Sequence, residues 1–302
     1  MTDEIVVSDL SKSFRGGTTA VDGASFAIAK GEVFGLLGPN GAGKSTTVRI
    51  LATLTRADGG QAIVSGHDVA RDPAGARRAF GYVAQASGVD KWATGRENLT
   101  LQAQLQRVPR LQVAERVQAL LDWVGLADAQ HRLVNTYSGG MKRRLDIAIG
   151  LVHQPSVLFL DEPTTGLDPE TRRALWTDLA RLRAERGLTV LLTTHYLEEA
   201  DNLCDRIAIV DHGRVVTVGT PAALKAGIGG DAVTLTLADG TSQSVRVADG
   251  AAALPRLLAE RAAAGIAVTS AFVTRPSLDD VYLHHTGHAF DSTDATSGRG
   301  WS

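Results

Sequence analysis

The chain has 302 residues, a formal net charge of −2, 44% hydrophobic residues and 21% charged residues. These values suit one large and one small packed domain and exclude wholesale disorder. The near-neutral charge gives no electrostatic reason to expect nucleic acid as a partner. The single cysteine, Cys204, excludes an intrachain disulfide.

The first residues of the sequence do not predict a secretory signal peptide. Residues 1–4 are acidic rather than cationic, so we expect no secretory signal peptide. No apolar run approaches the about 18 residues that a membrane-spanning helix needs. We therefore expect a cytoplasmic protein that takes part in membrane events only through a partner.

Short strands are predicted over 5–7, 24–28 and 33–37, and apolar residues at helical spacing follow in 46–51. Between the last strand and this helix the sequence reads Gly38-Pro39-Asn40-Gly41-Ala42-Gly43-Lys44-Ser45-Thr46. The spacing G-x-x-x-x-G-K-S is typical of a loop that holds the phosphates of a nucleoside triphosphate on backbone N–H groups. Lys44 is predicted to reach the β- and γ-phosphates, and the Ser45 hydroxyl to hold Mg²⁺. A chance glycine turn would not come with both flanking elements.

Strands and helices alternate through the middle of the chain. Helices are predicted over about 96–125, 139–153 and 169–186, and buried strands over 157–160 and 189–193. This alternation predicts an α/β fold with a mostly parallel core sheet.

After about residue 215 the pattern changes to a small appendage of the order ββαβα. It consists of a hairpin over 233–247, a helix at 251–264, a strand at 267–273 and an amphipathic turn at 278–285. We therefore predict a nucleotide-binding domain over 1–218, a small α+β domain over 219–287 and a disordered tail over 288–302.

A second chemical centre follows the strand at 157–160, where Asp161 and Glu162 stand side by side. Ligands of parallel sheets bind at the carboxyl ends of the strands. Asp161 is predicted to hold Mg²⁺, and Glu162 to polarise the water that attacks the γ-phosphate. Alone, such a pair is most often a solvated loop; with an upstream phosphate loop, a catalytic role is favoured.

These motifs, in this order, resemble the nucleotide-binding subunit of an ATP-binding-cassette (ABC) transporter. The resemblance implies a P-loop ABC ATPase domain with an antiparallel β subdomain and a helical subdomain at about 86–155, and it implies ATP and Mg²⁺ as cofactors. It assigns Phe14 to stacking on adenine, Gln85 to sensing Mg²⁺ and the membrane partner, Ser138-Gly139-Gly140 to the family's signature, Asp168 to the D-loop and His195 to the γ-phosphate. Alone, His195 would more often be a core or surface histidine.

The position of the signature at the start of a helix also predicts an anion site on physical grounds. Ser138 is placed to open a helix, whose N–H groups and dipole form a second anion site. In the family, that site reaches the γ-phosphate across a dimer interface, so the resemblance implies a second copy of the chain as a partner. For Ser-Gly-Gly alone, the alternative is an ordinary helix cap.

One departure is Met141, where the family usually has glutamine. Met141 and the closing segment 276–287 resemble the daunorubicin-resistance branch of antibiotic exporters. The implied function is ATP hydrolysis at the cytoplasmic face of the membrane, powering drug export through a separate permease. Export of lipid or polysaccharide, or a soluble non-transport role, stays open.

For two apolar features the sequence leaves open what they pack against. Trp92 is expected either to face the permease, within 85–99, or to pack under its own loop. Leu278, Val281, Tyr282 and Leu283 can share one helical face. This stripe must be buried in its own domain or against a second copy, and the resemblance favours the second copy.

Overall fold

The computed structural model describes residues 3–290, which form two compact units, one ending at Val218 and one beginning at Gly219. The strands of the first unit are β1 (Asp3–Ser13), β2 (Thr19–Ala29), β3 (Val33–Leu37), β4 (Gly59–Val64), β5 (His67–Asp68), β6 (Phe80–Val83), β7 (Val157–Asp161), β8 (Thr189–Thr194), β9 (Arg206–Asp211) and β10 (Arg214–Gly219). Its helices are α1 (Lys44–Leu51), α2 (Pro73–Ala79), α3 (Gly95–Leu105), α4 (Arg110–Trp123), α5 (Gly139–Leu151), α6 (Pro169–Arg186) and α7 (Leu197–Leu203).

The core of the first unit is a six-stranded sheet with the order β10-β9-β3-β8-β7-β6. Strands β3, β8, β7 and β6 run parallel to their neighbours. Every residue of β3, β7 and β8 is buried, as expected for a parallel sheet covered on both faces. Because parallel strands end at the same edge, the residues that follow β3, β6, β7 and β8 lie close together. This edge carries the candidate site.

A second sheet, of order β2-β1-β4-β5, is antiparallel. Alternate residues of β1 and β2, including Ile5, Val7 and Ile28, point into a core shared with the first sheet. This alternation is typical of a sheet with one buried face. The mostly parallel core sheet and the antiparallel subdomain are thus both confirmed.

The helical pattern predicted over about 96–125 is present, and it forms two helices, α3 and α4, rather than one. Arg107 takes a left-handed backbone conformation, with φ 58°, and Pro109 stands directly before α4. A left-handed residue and a proline both interrupt a helical hydrogen-bond ladder. Helix α3 starts at a capping box formed by Thr94 and Glu97.

The second unit contains α8 (Pro221–Gly227), β11 (Asp231–Leu237), β12 (Ser242–Val247), α9 (Gly250–Ala263), β13 (Val268–Thr274) and α10 (Leu278–Thr286). Its antiparallel sheet has the order β12-β11-β13, and Val233, Leu235 and Leu257 form its small core. The predicted ββαβα order is present, preceded by α8. Most of the predicted tail, 291–302, lies outside the described residues.

The stripe on α10 corrects one expectation. Leu278, Val281 and Tyr282 are buried within a single chain, with Tyr282 0% exposed, whereas Leu283 is 48% exposed. The interpretation that this stripe packs against a second copy is therefore wrong, since a helical pattern shows that a face is buried but not by what. Within residues 3–290, none of the helices is both long and apolar enough to cross a bilayer.

Candidate functional site

The phosphate loop joins the end of β3 to the start of α1. Gly43 has φ 100°, and a Cβ atom there would come within 2.0 Å of the Ala20 carbonyl oxygen, so the position requires glycine. Helix α1 has no side-chain cap, which leaves its first N–H groups for an anion. The Lys44 Nζ atom donates to the carbonyls of Gly38 and Pro39, at 2.7 and 2.9 Å.

Asp161, the last residue of β7, receives two hydroxyl groups on one carboxylate oxygen. The Ser45 and Thr193 hydroxyls each donate to Asp161 Oδ1 at 2.7 Å. Thr193, in β8, also accepts a hydrogen bond from the Glu162 backbone N–H at 2.9 Å. Thr193 therefore fixes the adjacent carboxylates, Asp161 and Glu162, to the neighbouring strand β8. The sequence did not predict this role.

Glu162 lies at the centre of the site and is only 8% exposed. Its Oε2 atom accepts from the Gln85 amide at 2.9 Å and from the Thr165 hydroxyl at 3.1 Å. Its Oε1 atom lies 3.8 Å from Lys44 Nζ and 3.3 Å from His195 Nδ1. The contact with His195 is close but poorly aligned, since this nitrogen makes no hydrogen bond within the described structure. Four residues from four loops therefore surround one carboxylate.

The surroundings lower the pKa of both Glu162 and Lys44. Glu162 is therefore kept ionised, and Lys44 gives up its proton more readily than an ordinary lysine. Burial alone would raise the pKa of Glu162, but His195, Lys44 and Thr165 outweigh it, so the net pKa is lowered. Burial lowers the pKa of Lys44 despite the opposing charges of Glu162 and Asp161. Since the pKa of Glu162 is lowered, this carboxylate keeps its charge to a lower pH than an ordinary glutamate does.

The ring of Tyr196 lies between two other groups. Its centroid is 4.1 Å from that of His195, and the Arg172 guanidinium carbon lies 4.2 Å from it on α6. Such a cation–π contact is an electrostatic attraction between the guanidinium and the face of the ring. The arrangement links the loop that carries His195 to the first turns of α6.

A cleft of about 310 Å³ opens over these groups and is lined by Ala20, Asn40, Gly41, Gly43, Lys44, Ser45, Thr46, Gln85 and Glu162. It therefore brings together most of the predicted phosphate-loop residues, Gln85 and Glu162. Phe14 is 47% exposed, with the Lys12 ammonium 5.6 Å from its ring centroid, and it does not line this cleft. Ser138, Gly139, Gly140 and Asp168 also lie outside the cleft of their own chain. Asp161 and His195 do not line it either, but they contact the lining residues Ser45 and Glu162.

Ser138 and Asp168 are both helix caps. The Ser138 hydroxyl accepts from the Met141 N–H at the start of α5, and Asp168 accepts from the Thr171 N–H and hydroxyl at the start of α6. The two helix starts lie close together, because a Cβ atom on Gly140 would come within 2.5 Å of the Thr171 methyl. Ser138, Gly139 and Asp168 are all exposed, so both N-termini are open to solvent.

Arg143 is, with Thr193, a neighbour of the site that sequence reasoning missed. It follows the signature within Lys142-Arg143-Arg144 and is only 6% exposed. Its guanidinium donates to backbone carbonyls on both sides of Glu162 and to the carbonyl before Gln85. Every residue has a backbone carbonyl, so the sequence does not show which carbonyls accept these hydrogen bonds. Only the position of Arg143 beside the signature could have drawn attention to it.

The chain has extensive similarity to known proteins. The family model described as "ABC transporter" matches residues 21–165. The daunorubicin/doxorubicin resistance ATP-binding protein DrrA of Streptomyces peucetius is 45% identical, across 96% of this chain and 94% of that protein. The linearmycin resistance ATP-binding protein LnrL of Bacillus subtilis is 36% identical, across 91% of this chain and 96% of that protein.

Among solved structures, cbiO1 from Clostridium perfringens, part of the ABC transporter complex cbiONQ, superposes with a TM-score of 0.69. It has 28% identity, over 75% of this chain and 92% of that one. These similarities agree with the geometry of the site, in which the phosphate loop, the carboxylate pair and His195 are in contact. The chain belongs to the ABC transporter family and is the ATP-binding, ATP-hydrolysing subunit of such a transporter.

Proposed function

We propose that this chain powers a bacterial exporter of drugs or antibiotics, acting from the cytoplasmic face of the membrane on a separately encoded permease. The observation that carries the proposal is a cleft lined by Lys44, Gln85 and Glu162, with His195 Nδ1 3.3 Å from the Glu162 carboxylate. It is supported by similarity over nearly the whole chain to two proteins named for antibiotic resistance. Those two names refer to different compounds, so the proposal covers a class of cargo.

In this proposal, Lys44 holds the β- and γ-phosphates of ATP. Its present acceptors are two neutral carbonyls of its own loop, and phosphate oxygens offer stronger, charge-assisted bonds. Glu162 stays ionised and accepts a hydrogen bond from the attacking water, which it orients and polarises. Gln85 and Thr165 fix the carboxylate from one side, while His195 contacts the γ-phosphate.

The oxygen atoms around Ser45 fit a magnesium ion. The Ser45 hydroxyl and Asp161 Oδ1 lie 2.7 Å apart, and hydroxyl, carboxylate and amide oxygens are the ligands that Mg²⁺ prefers. Ser45, Asp161 and Gln85 would hold the ion. When bound, it neutralises charge on the β- and γ-phosphates.

The site also requires a second copy of the chain. Ser138 and Gly139 are exposed and lie outside the cleft of their own chain, at the N-terminus of the 13-residue helix α5. The N–H groups and dipole there suit the γ-phosphate of an ATP molecule held by another copy. Asp168, which caps the adjacent helix, would lie in the same interface. ATP would thus be bound between two chains arranged head to tail.

The surface near Gln85 is the proposed contact with the permease. Trp92 is 69% exposed, with the Lys91 ammonium 5.3 Å from its ring centroid, so it does not pack under its own loop. A groove of about 560 Å³ is lined by residues that include Leu54 and Ile149, together with Tyr82 in the strand that leads to Gln85. We take the exposed Trp92 and this groove as the surface that contacts the permease.

The test uses the protein encoded next to this chain's gene, which should contain about six apolar segments of spanning length. Cysteines placed at 90–95 should cross-link to that protein, and expression of the pair should lower susceptibility to daunorubicin, doxorubicin or linearmycin in an ATP-dependent manner. Cross-linking only between two copies of this chain would contradict the permease surface. Lipid movement without any change in susceptibility would contradict drug export.

A further inference from the structure

Helix α5 presents two buried charged side chains to the loop that carries Gln85. Arg143 and Asp146 lie three residues apart, hence on one helical face, and each is only 6% exposed. Arg143 Nη1 donates to the Ala84 carbonyl at 2.6 Å. The Gly88 N–H donates to Asp146 Oδ1 at 3.1 Å. The peptide groups before and after Gln85 are therefore both held by the helix that begins at the signature.

The same arginine holds the backbone around Glu162. Its Nε atom donates to the Pro163 carbonyl at 2.7 Å and its Nη2 atom to the Asp161 carbonyl at 3.2 Å. Three of the five N–H donors of the Arg143 guanidinium thus donate to three backbone carbonyls in two separate segments of the chain. The side chains that those loops carry meet directly, since the Gln85 amide donates to Glu162 Oε2 at 2.9 Å.

A purely space-filling residue would not need this chemistry. Burying a cation is costly, and the hydrogen bonds of Arg143 end on neutral carbonyls. An apolar side chain would fill the volume without that cost, but it could not tie three segments together. The planar fork of arginine can reach three acceptors in fixed directions, which a lysine ammonium cannot match.

We propose that Arg143, assisted by Asp146, is a positioning residue that fixes the Gln85 loop and the Glu162 loop relative to the signature helix α5. A displacement of any one of these three segments is then carried to the other two. The proposal rests on the function proposed above for Gln85 and Glu162, and it adds a physical link from the permease-facing loop to the signature of the same chain.

The test is steady-state hydrolysis of Mg-ATP by the full-length chain carrying Arg143→Gln, Arg143→Lys or, as a control, Arg116→Gln. Arg116, on α4, also donates to a backbone carbonyl, that of Val152. It lies away from both loops. Arg143→Gln should lower kcat roughly ten- to hundredfold, from the loss of charged hydrogen bonds. The KM for ATP should stay within about twofold, because the phosphate loop is untouched. Arg143→Lys should fall between this variant and the unmodified chain, and the control should match the unmodified chain.

A double-mutant cycle separates positioning from general stability. If Arg143 acts through Gln85 and Glu162, Arg143→Gln combined with Gln85→Ala should lose little more activity than the worse single variant. Multiplied losses, an unchanged kcat in folded Arg143→Gln, or equal changes in kcat and KM would overturn the proposal. If Arg143→Gln does not fold, the same criteria apply to Arg143→Lys.

The failure of this inference can be told apart from failure of the proposed function. Glu162→Gln, measured in parallel, should abolish hydrolysis if the roles assigned in the cleft are correct. An inactive Glu162→Gln together with a fully active Arg143→Gln would overturn only the positioning role. A fully active Glu162→Gln would overturn the catalytic assignment on which both rest.

Discussion

Replacing Glu162 with glutamine separates ATP binding from ATP hydrolysis. The amide has nearly the same volume, and its single carbonyl oxygen can still accept from Gln85 and Thr165. It cannot polarise water as a carboxylate does, a contribution of about 10²- to 10⁴-fold in rate. Each factor of ten corresponds to about 1.4 kcal/mol of activation free energy, so the barrier should rise by about 3–5 kcal/mol. We expect phosphate release to be almost abolished.

ATP affinity should stay within a few-fold, because the loop contacts of Lys44 and Ser45 are unchanged, and two copies should then accumulate as an ATP-held dimer. Phosphate release, calorimetry and gel filtration with ATP measure the three effects. Glu32→Gln is the matched control, since Glu32 is also buried, at 7% exposed, and pairs with Arg206 at the opposite end of β3. Its kcat should be unchanged. Hydrolysis by Glu162→Gln at a rate near that of the unmodified chain would refute the reasoning.

Two further predictions concern the phosphate loop and α10. Lys44→Ala should weaken ATP binding by about ten- to hundredfold in calorimetry, since a charge-assisted contact contributes about 1.5–3 kcal/mol, and an unchanged affinity would contradict the assignment of the loop. Tyr282→Ala should lower the free energy of unfolding of the second unit in urea by about 3–5 kcal/mol, because a fully buried aromatic ring is lost, whereas ATP affinity stays normal. Leu283→Ala, on the exposed side of α10, should change that free energy by less than about 0.5 kcal/mol, and equal effects of both substitutions would show that the ring is not part of a core.

Much of this fold follows from local patterns. The buried strands are apolar throughout, and a chemical motif follows each of the strands β3, β7 and β8. Since parallel strands end at a common edge, their order in the sequence already indicated that Lys44, Glu162 and His195 meet. The interruption between α3 and α4 also had a signal in Pro109, which the apolar periodicity of the region obscured.

Other features could not be read from the sequence, for physical reasons. An amphipathic stripe such as that on α10 shows that a face is buried, but both possible partners satisfy the same pattern. Thr193 and Arg143 act on backbone groups, which are identical at every position of the chain. Their importance comes from where the fold places particular peptide bonds, and no spacing of residue types records that.

The backbone of Glu162 explains why such peptide contacts matter in this site. Glu162 has φ 45°, a left-handed conformation that costs a residue with a Cβ atom roughly 1–3 kcal/mol and persists only where its surroundings fix it. Here the surroundings are specific, because Thr193 accepts from the Glu162 N–H and Arg143 donates to the carbonyls of the two adjacent residues. The carboxylate is therefore aimed by contacts to its backbone as well as to its side chain. It follows that a change in Arg143 can misdirect Glu162 without touching its carboxylate, and that such a change acts on the rate of hydrolysis before it acts on the binding of ATP.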